Sequence, residues 1–184
     1  MGPLAHDRDT GKAVNIVIVE DDGIAALGMK MALERHGCRV RGIAGHPEAA
    51  VALCSSGIDL ALVDINLAYG RSGVAFARAL HEACGVPCLF VTGHLEEALA
   101  AKDAAVGCLG KPFTDLALTM AVDVVRRILA NRPPGPIPYG MELYPGWSRA
   151  RTRWELARAA LRQTHRRARS QGPTLKSDLQ RQSF

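Results

Sequence analysis

Short, continuous apolar runs recur along the first two thirds of the chain, and polar residues follow each of them. Residues 14–19 read VNIVIV, residues 58–64 read IDLALVD and residues 87–92 read PCLFVT. Runs of this length with consecutive apolar positions are typical of strands buried on both faces of a sheet. Two shorter runs, 39–44 and 107–110, predict two further strands.

The segments between these runs have helical spacing or helix-end signals. Ile24, Leu27 and Met31 are spaced for a helix that ends near Gly37, a residue suited to a helix C-terminus. The other predicted helices cover residues 47–55, 72–83, 95–105 and 114–129. Five strands that alternate with five helices predict an α/β fold, a doubly wound parallel sheet with right-handed crossovers and helices on both faces.

Reactive side chains gather where the predicted strands end. The first strand runs straight into three acids at residues 20–22, and the third ends on Asp64. The carboxyl ends of parallel strands share one edge of a sheet, so we expect these acids to meet Thr92 and Lys111 there. Clustered carboxylates repel one another, and a hard cation with oxygen ligands, such as Mg²⁺, would neutralise them. A carboxylate so placed can act as the nucleophile that forms an aspartyl-phosphate, stabilised by the lysine and the threonine hydroxyl.

In these residues the chain resembles a known family, the receiver domains of bacterial two-component response regulators. The matching pieces stand in order at successive strand ends: VEDD (19–22), DINL (64–67), SGV (72–74), VTG (91–93) and GKPF (110–113). The resemblance covers about residues 14–131. It implies a chemotaxis-regulator-like fold whose five strands have the order 2-1-3-4-5.

The resemblance implies a role for each matching residue of the phosphoryl chemistry. Asp64 is the expected phosphoacceptor, Thr92 the hydroxyl that follows the phosphoryl group, and Lys111 its charge partner. The bond from Lys111 to Pro112 is often cis in this family, in line with the low cost of a cis bond before proline.

The resemblance also implies a magnesium site. Asp21 is the expected direct ligand, Glu20 a ligand through water, and Asp64 and the backbone carbonyl of Asn66 complete the set. Asp22 is left out, because an acid at this position also suits the first turn of a helix.

Two departures from the family pattern concern signal transmission. Receivers usually carry Tyr or Phe three residues before the lysine, and this chain has Cys108. A cysteine buries far less area than an aromatic ring, so we predict that the signal does not pass through residue 108.

The sequence FVTGH (90–94) is similar to a receiver subgroup with a Phe-Ala-Thr-Gly-Tyr signature, from which Val91 and His94 differ. His94 is interpreted as a loop or first-turn residue and not as a metal ligand.

Charge and composition divide the chain in two. Residues 1–131 hold 12 Lys and Arg against 15 Asp and Glu, whereas residues 132–184 hold 11 against 3. The basic character therefore belongs to the C-terminal part alone.

No apolar run is long enough to span a membrane, and the five cysteines lack zinc-site spacing and are expected to be buried thiols. We therefore expect a cytoplasmic protein.

The predicted organisation has four parts. Residues 1–13 are a flexible leader, 14–131 the receiver domain, 132–147 a Pro/Gly-rich linker and 148–184 a basic tail with one short helix and a disordered end.

The function expected from these features is that of a response regulator. It would take a phosphoryl group from a sensor histidine kinase or phosphotransfer protein onto Asp64, with Mg²⁺ as cofactor, and then switch its affinity for a downstream protein. Apart from this self-catalysed transfer and its reversal we expect no enzyme activity, and a homodimer is compatible with the sequence. Two alternatives stay open: a DNA-binding regulator that uses residues 148–184, and a flavodoxin-like enzyme that binds a nucleotide cofactor.

Overall fold

The structure is a computed structural model that describes residues 13–45, 57–68 and 70–145, with only the backbone at Arg71. The predicted helix at 47–55, most of the predicted leader and the basic tail from residue 148 lie outside these residues.

Strands and helices alternate along the described residues. The strands are β1 (Asn15–Val19), β2 (Arg39–Ala44), β3 (Leu60–Val63), β4 (Asn66–Leu67), β5 (Arg71–Ser72), β6 (Cys88–Thr92), β7 (Gly107–Gly110) and β8 (Met141–Leu143). The helices are α1 (Gly23–Arg35), α2 (Gly73–Cys84), α3 (Leu95–Ala100) and α4 (Asp115–Leu129).

The main sheet has the strand order β2-β1-β3-β6-β7-β8. Its first five members are parallel and, counted along the chain, stand in the order 2-1-3-4-5, which confirms the predicted topology. The predicted number of strands was wrong, because β8 adds a sixth strand that pairs antiparallel with β7. This strand falls within residues 132–147, which proline and glycine had marked as a linker. Gly140, with φ +80°, precedes it in a backbone conformation that suits glycine.

Apolar side chains pack on both faces of the sheet, as in a doubly wound fold. Along β1 the fully buried residues alternate: Val17 and Val19 belong to one core cluster, and Ile16 and Ile18 to the other. The first cluster includes residues of α2 and α3, and the second includes residues of α1 and α4. Two-sided burial explains why these strands are apolar at consecutive positions.

Helix α1 confirms the predicted element but not the face that its spacing indicated. Ile24 is 87% exposed, and Leu27 and Met31 are each 53% exposed. The buried face is instead formed by two alanines and two larger residues: Ala26, Met29, Ala32 and Leu33.

Helix α3 is shorter than the predicted helix at 95–105. It ends at Ala100, and the chain turns through residues 101–106. These turns bury Ala101, Ala104 and Ala105 in the core.

Two further observations bear on the cysteines and on membranes. Cys38, Cys88 and Cys108 are free thiols, whereas Cys84 is disulfide-bonded, which departs from the expectation of thiols throughout. Among the described residues, no helix combines the length and the apolar character needed to cross a membrane.

Candidate functional site at the carboxyl ends of the strands

The predicted site residues come from four neighbouring strands of the sheet. Glu20 follows β1, Asp64 follows β3, Thr92 ends β6 and Lys111 follows β7. Because β1, β3, β6 and β7 are adjacent and parallel, all four residues lie at the same edge of the sheet. The topology therefore brings together residues up to 91 positions apart in the sequence.

The Lys111 ammonium joins two of the carboxylates. Its Nζ lies 2.6 Å from Glu20 Oε2 and 2.6 Å from Asp64 Oδ2. The side chain of Glu20 is 2% exposed and that of Asp64 is 12% exposed, so both charges need this partner. Burial lowers the pKa of Lys111, but the hydrogen bonds and charges of Asp64 and Glu20 outweigh it and raise that pKa above its ordinary value. Lys111 is therefore a fixed positive charge at the centre of the site, and its peptide bond to Pro112 is cis, as the resemblance implies.

The other two acids after β1 have different surroundings. Asp21 is exposed, and its Oδ2 accepts a hydrogen bond of 3.0 Å from the amide of Ala68, which ties the loop after Asp64 to the end of β1. Asp22 caps α1, where its Oδ1 accepts from the amides of Ile24 and Ala25. The helix-start interpretation of Asp22 is thereby confirmed.

Thr92 is fully buried at the end of β6. Its Oγ1 accepts a hydrogen bond of 3.1 Å from the amide of His94, and its carbonyl accepts one of 2.9 Å from the amide of Lys111. The threonine is thus connected by the backbone to the residue that holds Asp64. His94 precedes α3, and its ring lies 3.6 Å from a carboxylate oxygen of Glu97, consistent with a first-turn residue.

A glycine fixes the backbone of Asp64 against the start of α2. A Cβ on Gly73 would lie 1.8 Å from the carbonyl oxygen of Asp64, a distance that real Cβ atoms do not show. The amide of Gly73 also donates to the carbonyl of Ile65 over 2.7 Å. Only glycine allows this approach, so Gly73 positions the backbone that carries the candidate acceptor.

The loop after Asp64 contains a small hairpin that the sequence did not predict. Asn66 and Leu67 pair antiparallel with Ser72 and Arg71. The amide of Asn66 lies 3.4 Å from Asp64 Oδ1, which keeps the predicted carbonyl ligand next to the acceptor.

The donor set fits a hard divalent cation in its chemistry. It offers the carboxylates of Glu20, Asp21 and Asp64 together with the carbonyl of Asn66, all oxygen donors of the kind that Mg²⁺ prefers. Within the described residues, no group of three or more His, Cys, Asp or Glu side chains stands ready to hold a metal. Lys111 and the amide of Ala68 instead engage the carboxylate oxygens, so these contacts would have to rearrange around a cation.

Sequence reasoning identified the charged members of the site but missed two positioning residues. Ala68 acts through its backbone amide, which no side-chain pattern can show. The sequence did indicate Gly73, because it lies in the SGV motif directly after the helix cap Ser72. Its close approach to Asp64 depends on tertiary packing, which the motif does not show.

Comparison with known proteins agrees with this geometry. Residues 16–123 match the family model of the response regulator receiver domain. The chain is 31% identical over 109 residues to the aerobic respiration control protein ArcA of Escherichia coli K12, a match that covers 58% of this chain and 45% of ArcA. The chain therefore matches less than half the length of this relative.

Solved structures show the same likeness. The signal receiver domain of a modulated diguanylate cyclase from Desulfovibrio desulfuricans G20 is 32% identical, with a TM-score of 0.55, and the match covers 60% of this chain and 91% of that one. A CheY-like receiver domain protein from Methanospirillum hungatei JF-1 is 27% identical, with a TM-score of 0.54 and the same coverages. A LuxR-family two-component response regulator from Aurantimonas is 27% identical, with a TM-score of 0.57, and the match covers 66% and 89%.

The family match spans more than half of the chain and includes Glu20, Asp21, Asp64, Thr92 and Lys111. The site, the sheet order and the match agree on one assignment. The chain belongs to the response regulator receiver domain family, whose members are phosphoryl-accepting signalling domains of two-component systems.

Proposed function

We propose that Asp64 is the phosphoacceptor of this receiver domain. The observation that carries the proposal is the Lys111 ammonium, whose Nζ lies 2.6 Å from Asp64 Oδ2 at the end of β3. Of the acids at this edge, Asp64 combines contact with a fixed positive charge and partial access to solvent. Glu20 is buried, and Asp22 is occupied as a helix cap.

The proposed reaction is a phosphoryl transfer to a carboxylate. An oxygen of Asp64 forms a bond to phosphorus, the bond from phosphorus to the donor breaks, and the donor group leaves with that electron pair. Lys111 stays beside the acceptor and offsets the added negative charge. Thr92 is the hydroxyl assigned to a phosphoryl oxygen: its Oγ1 accepts from the His94 amide, which leaves its O–H free to donate to the phosphoryl group.

Mg²⁺ is the proposed cofactor. Asp21, Asp64 and the backbone carbonyl of Asn66 would hold it, with Glu20 acting through water. When bound, the metal supplies positive charge that offsets the carboxylates and the phosphoryl oxygens. Asp21 is suited to this role because it is exposed and, among the described residues, its side chain is held by the Ala68 amide alone.

The proposed donor is a sensor histidine kinase or a phosphotransfer protein, and the proposed output is altered affinity for a downstream protein. A homodimer would be one form of such an output. Neither alternative function is favoured. DNA binding would depend on residues 148–184, which lie outside the described residues, and a nucleotide enzyme needs a Gly-rich phosphate loop where this chain has acids at 20–22.

Intact-mass measurement tests the acceptor. The full chain is incubated with acetyl phosphate and Mg²⁺, and we expect one added phosphoryl group on the wild type and none on Asp64→Asn. Asp22→Asn is the matched control, because it also neutralises an acid at this edge but keeps a good helix cap, and it should accept the group. Equal labelling of wild type and Asp64→Asn, or no labelling of the wild type, would reject the assignment.

A further inference from the structure

The sixth strand, β8, is short and forms the edge of the sheet next to β7. Gly107, Cys108 and Leu109 pair with Leu143, Glu142 and Met141. Two backbone hydrogen bonds flank this pairing: the Gly110 amide donates to Gly140 over 2.9 Å, and the Tyr144 amide donates to Val106 over 2.9 Å. A three-residue strand held this way is a local element that can open without unfolding the sheet.

Strand β7 is shaped to receive β8. A Cβ on Gly107 would lie 2.3 Å from the carbonyl oxygen of Glu142 and 3.2 Å from the Cα of Leu143. Any other residue at position 107 would therefore push β8 away. This contact explains the glycine at position 107, the first residue of GCLG. It indicates that the fold is adapted to the docking of β8.

Tyr144 anchors the end of β8 in the core. Its side chain is 3% exposed and belongs to the cluster that contains Phe90, Ala101 and Cys108. Lys102 Nζ lies 5.6 Å from the centre of the ring and 3.2 Å from Glu142 Oε1, so one lysine contacts two residues of this segment. By contrast, Tyr139, at the turn before β8, is 98% exposed.

The anchor is imperfect in one respect. The Tyr144 hydroxyl is buried beside the Cys108 thiol, which is a weak hydrogen-bonding partner, and makes no hydrogen bond to a stronger group among the described residues. A buried hydroxyl that is satisfied so weakly opposes docking, because it would regain water on release. Packing of the ring favours the docked strand and the hydroxyl favours the released one, so the two states lie closer in free energy than they would with phenylalanine.

The backbone links β8 directly to the candidate acceptor. Gly110, whose amide holds Gly140, precedes Lys111 in the chain, and Lys111 holds both Asp64 and Glu20 through its ammonium. The Lys111 amide is bound in turn to the carbonyl of Thr92. A phosphoryl group on Asp64 would add negative charge next to this ammonium, so Lys111 would shift from its contact with Glu20 toward the phosphoryl oxygens. The bond between Gly110 and Gly140 is the contact of β8 nearest to that movement.

We propose that β8 with Tyr144 is a releasable latch, which phosphorylation of Asp64 opens. Release exposes the backbone edge of β7 and the groove left by Tyr144, and it frees the chain that leads into the basic residues beyond 145. The latch depends on the proposed acceptor for its trigger.

Hydrogen exchange by mass spectrometry on the full chain tests this latch. With acetyl phosphate and Mg²⁺, the amides of Gly110 and Tyr144 should exchange on the order of tenfold faster, a factor that corresponds to ~1.4 kcal/mol in the opening equilibrium. Amides of β1 should stay protected, which shows that the sheet has not unfolded. The intact mass of the same sample reports whether Asp64 was phosphorylated.

Two tyrosines provide matched variants. Tyr144→Ala should show fast exchange at Gly110 without any phosphodonor and little further increase with it, whereas Tyr139→Ala should behave like the wild type. Tyr144→Phe, which keeps the ring and removes the weakly satisfied hydroxyl, should hold β8 more firmly and keep the core intact. A gain in mass with unchanged exchange at Gly110 and Tyr144 would overturn the latch alone. The absence of any mass gain would overturn the acceptor, and with it the trigger of the latch.

Discussion

At the scale of single residues, the site depends on one ammonium shared between two carboxylates. Lys111 contacts Glu20 and Asp64 at equal distances of 2.6 Å, and Glu20 is almost fully buried. Removing one member of a buried ion pair costs more than the pair contributes, because the remaining charge is left without a partner. The stability of the receiver should therefore be sensitive to residue 111.

We expect Lys111→Met to lower the free energy of unfolding by about 3 kcal/mol at pH 8, because it leaves Glu20 unpaired in the core. Urea denaturation of both proteins measures this. The double variant Glu20→Gln with Lys111→Met should recover part of the loss. If it is no more stable than Lys111→Met alone, the buried charge of Glu20 is not the cause.

The same pair gives an alkaline pH dependence. The pKa of Lys111 is raised above its ordinary value of 10.5, so the ion pair contributes fully below that pH and is lost as pH rises through the higher folded-state pKa. The stability difference between wild type and Lys111→Met should therefore shrink as pH rises from 10.5 through the folded-state pKa, beyond which both proteins carry an unpaired Glu20. Denaturation series at pH 8 and at alkaline pH measure this difference. A difference that stays constant over this range would contradict the assignment.

The sequence predicted the residues that act through charged side chains. Glu20, Asp64 and Lys111 could be placed together because each ends or directly follows a predicted strand. Parallel strands have their carboxyl ends at the same edge of the sheet, so residues that follow them lie close together. The sequence could not predict the hydrogen bond from the Ala68 amide to Asp21, because this is a backbone contact. Nor could it predict the exposure of Ile24, which depends on which face of α1 packs on the sheet.

At the scale of elements, glycines decide where helices and strands approach one another. Gly73 starts α2 against the carbonyl of Asp64, whereas Gly28 lies in the middle of α1 with no atom within 4 Å of an added Cβ. Both are helical glycines, so they form a matched pair with opposite surroundings.

We expect Gly73→Ala to lower the free energy of unfolding by about 1–3 kcal/mol, because the new methyl group displaces the backbone of Asp64. It should also slow labelling by acetyl phosphate. Gly28→Ala should instead raise the free energy of unfolding by about 0.5–1 kcal/mol, as expected for an exposed helix interior, and leave labelling unchanged. Thermal melts and intact-mass time courses measure both effects. Equal stability of the two variants would argue against the close contact at residue 73.

Elements were predictable where the pattern is strong and local. The two-sided burial of β1, β3 and β6 gives continuous apolar runs, and β2 and β7 were predicted at their observed bounds. The end of α3 and the existence of β8 were not predictable, because alanines continue past residue 100 and because Pro and Gly around residues 133–140 outweigh three residues of alternating pattern.

At the scale of the whole molecule, the proposed Mg²⁺ site predicts that the ion stabilises the receiver by mass action, because such a site exists in the folded state and not in the unfolded chain. We expect millimolar Mg²⁺ to raise the melting temperature of the wild type. Asp21→Asn should reduce the shift and leave the metal-free protein at least as stable, because it removes one of several like charges. Calorimetry with and without Mg²⁺ measures both effects, and Asp22→Asn should keep the shift. A full shift in Asp21→Asn would show that the ion binds elsewhere.

The sixth strand also decides where this receiver can be cut. A fragment that ends at residue 131, the boundary suggested by composition, would lack β8 and would expose to solvent the N–H and C=O groups on the side of β7 that faces away from β6. Such an edge invites pairing with another molecule. Light scattering should show that a fragment ending at 131 aggregates at concentrations where one ending at 145 does not. Any output module fused to this receiver therefore belongs after residue 145, because a fusion at an earlier residue would replace the paired edge of β7 with one that is open to association.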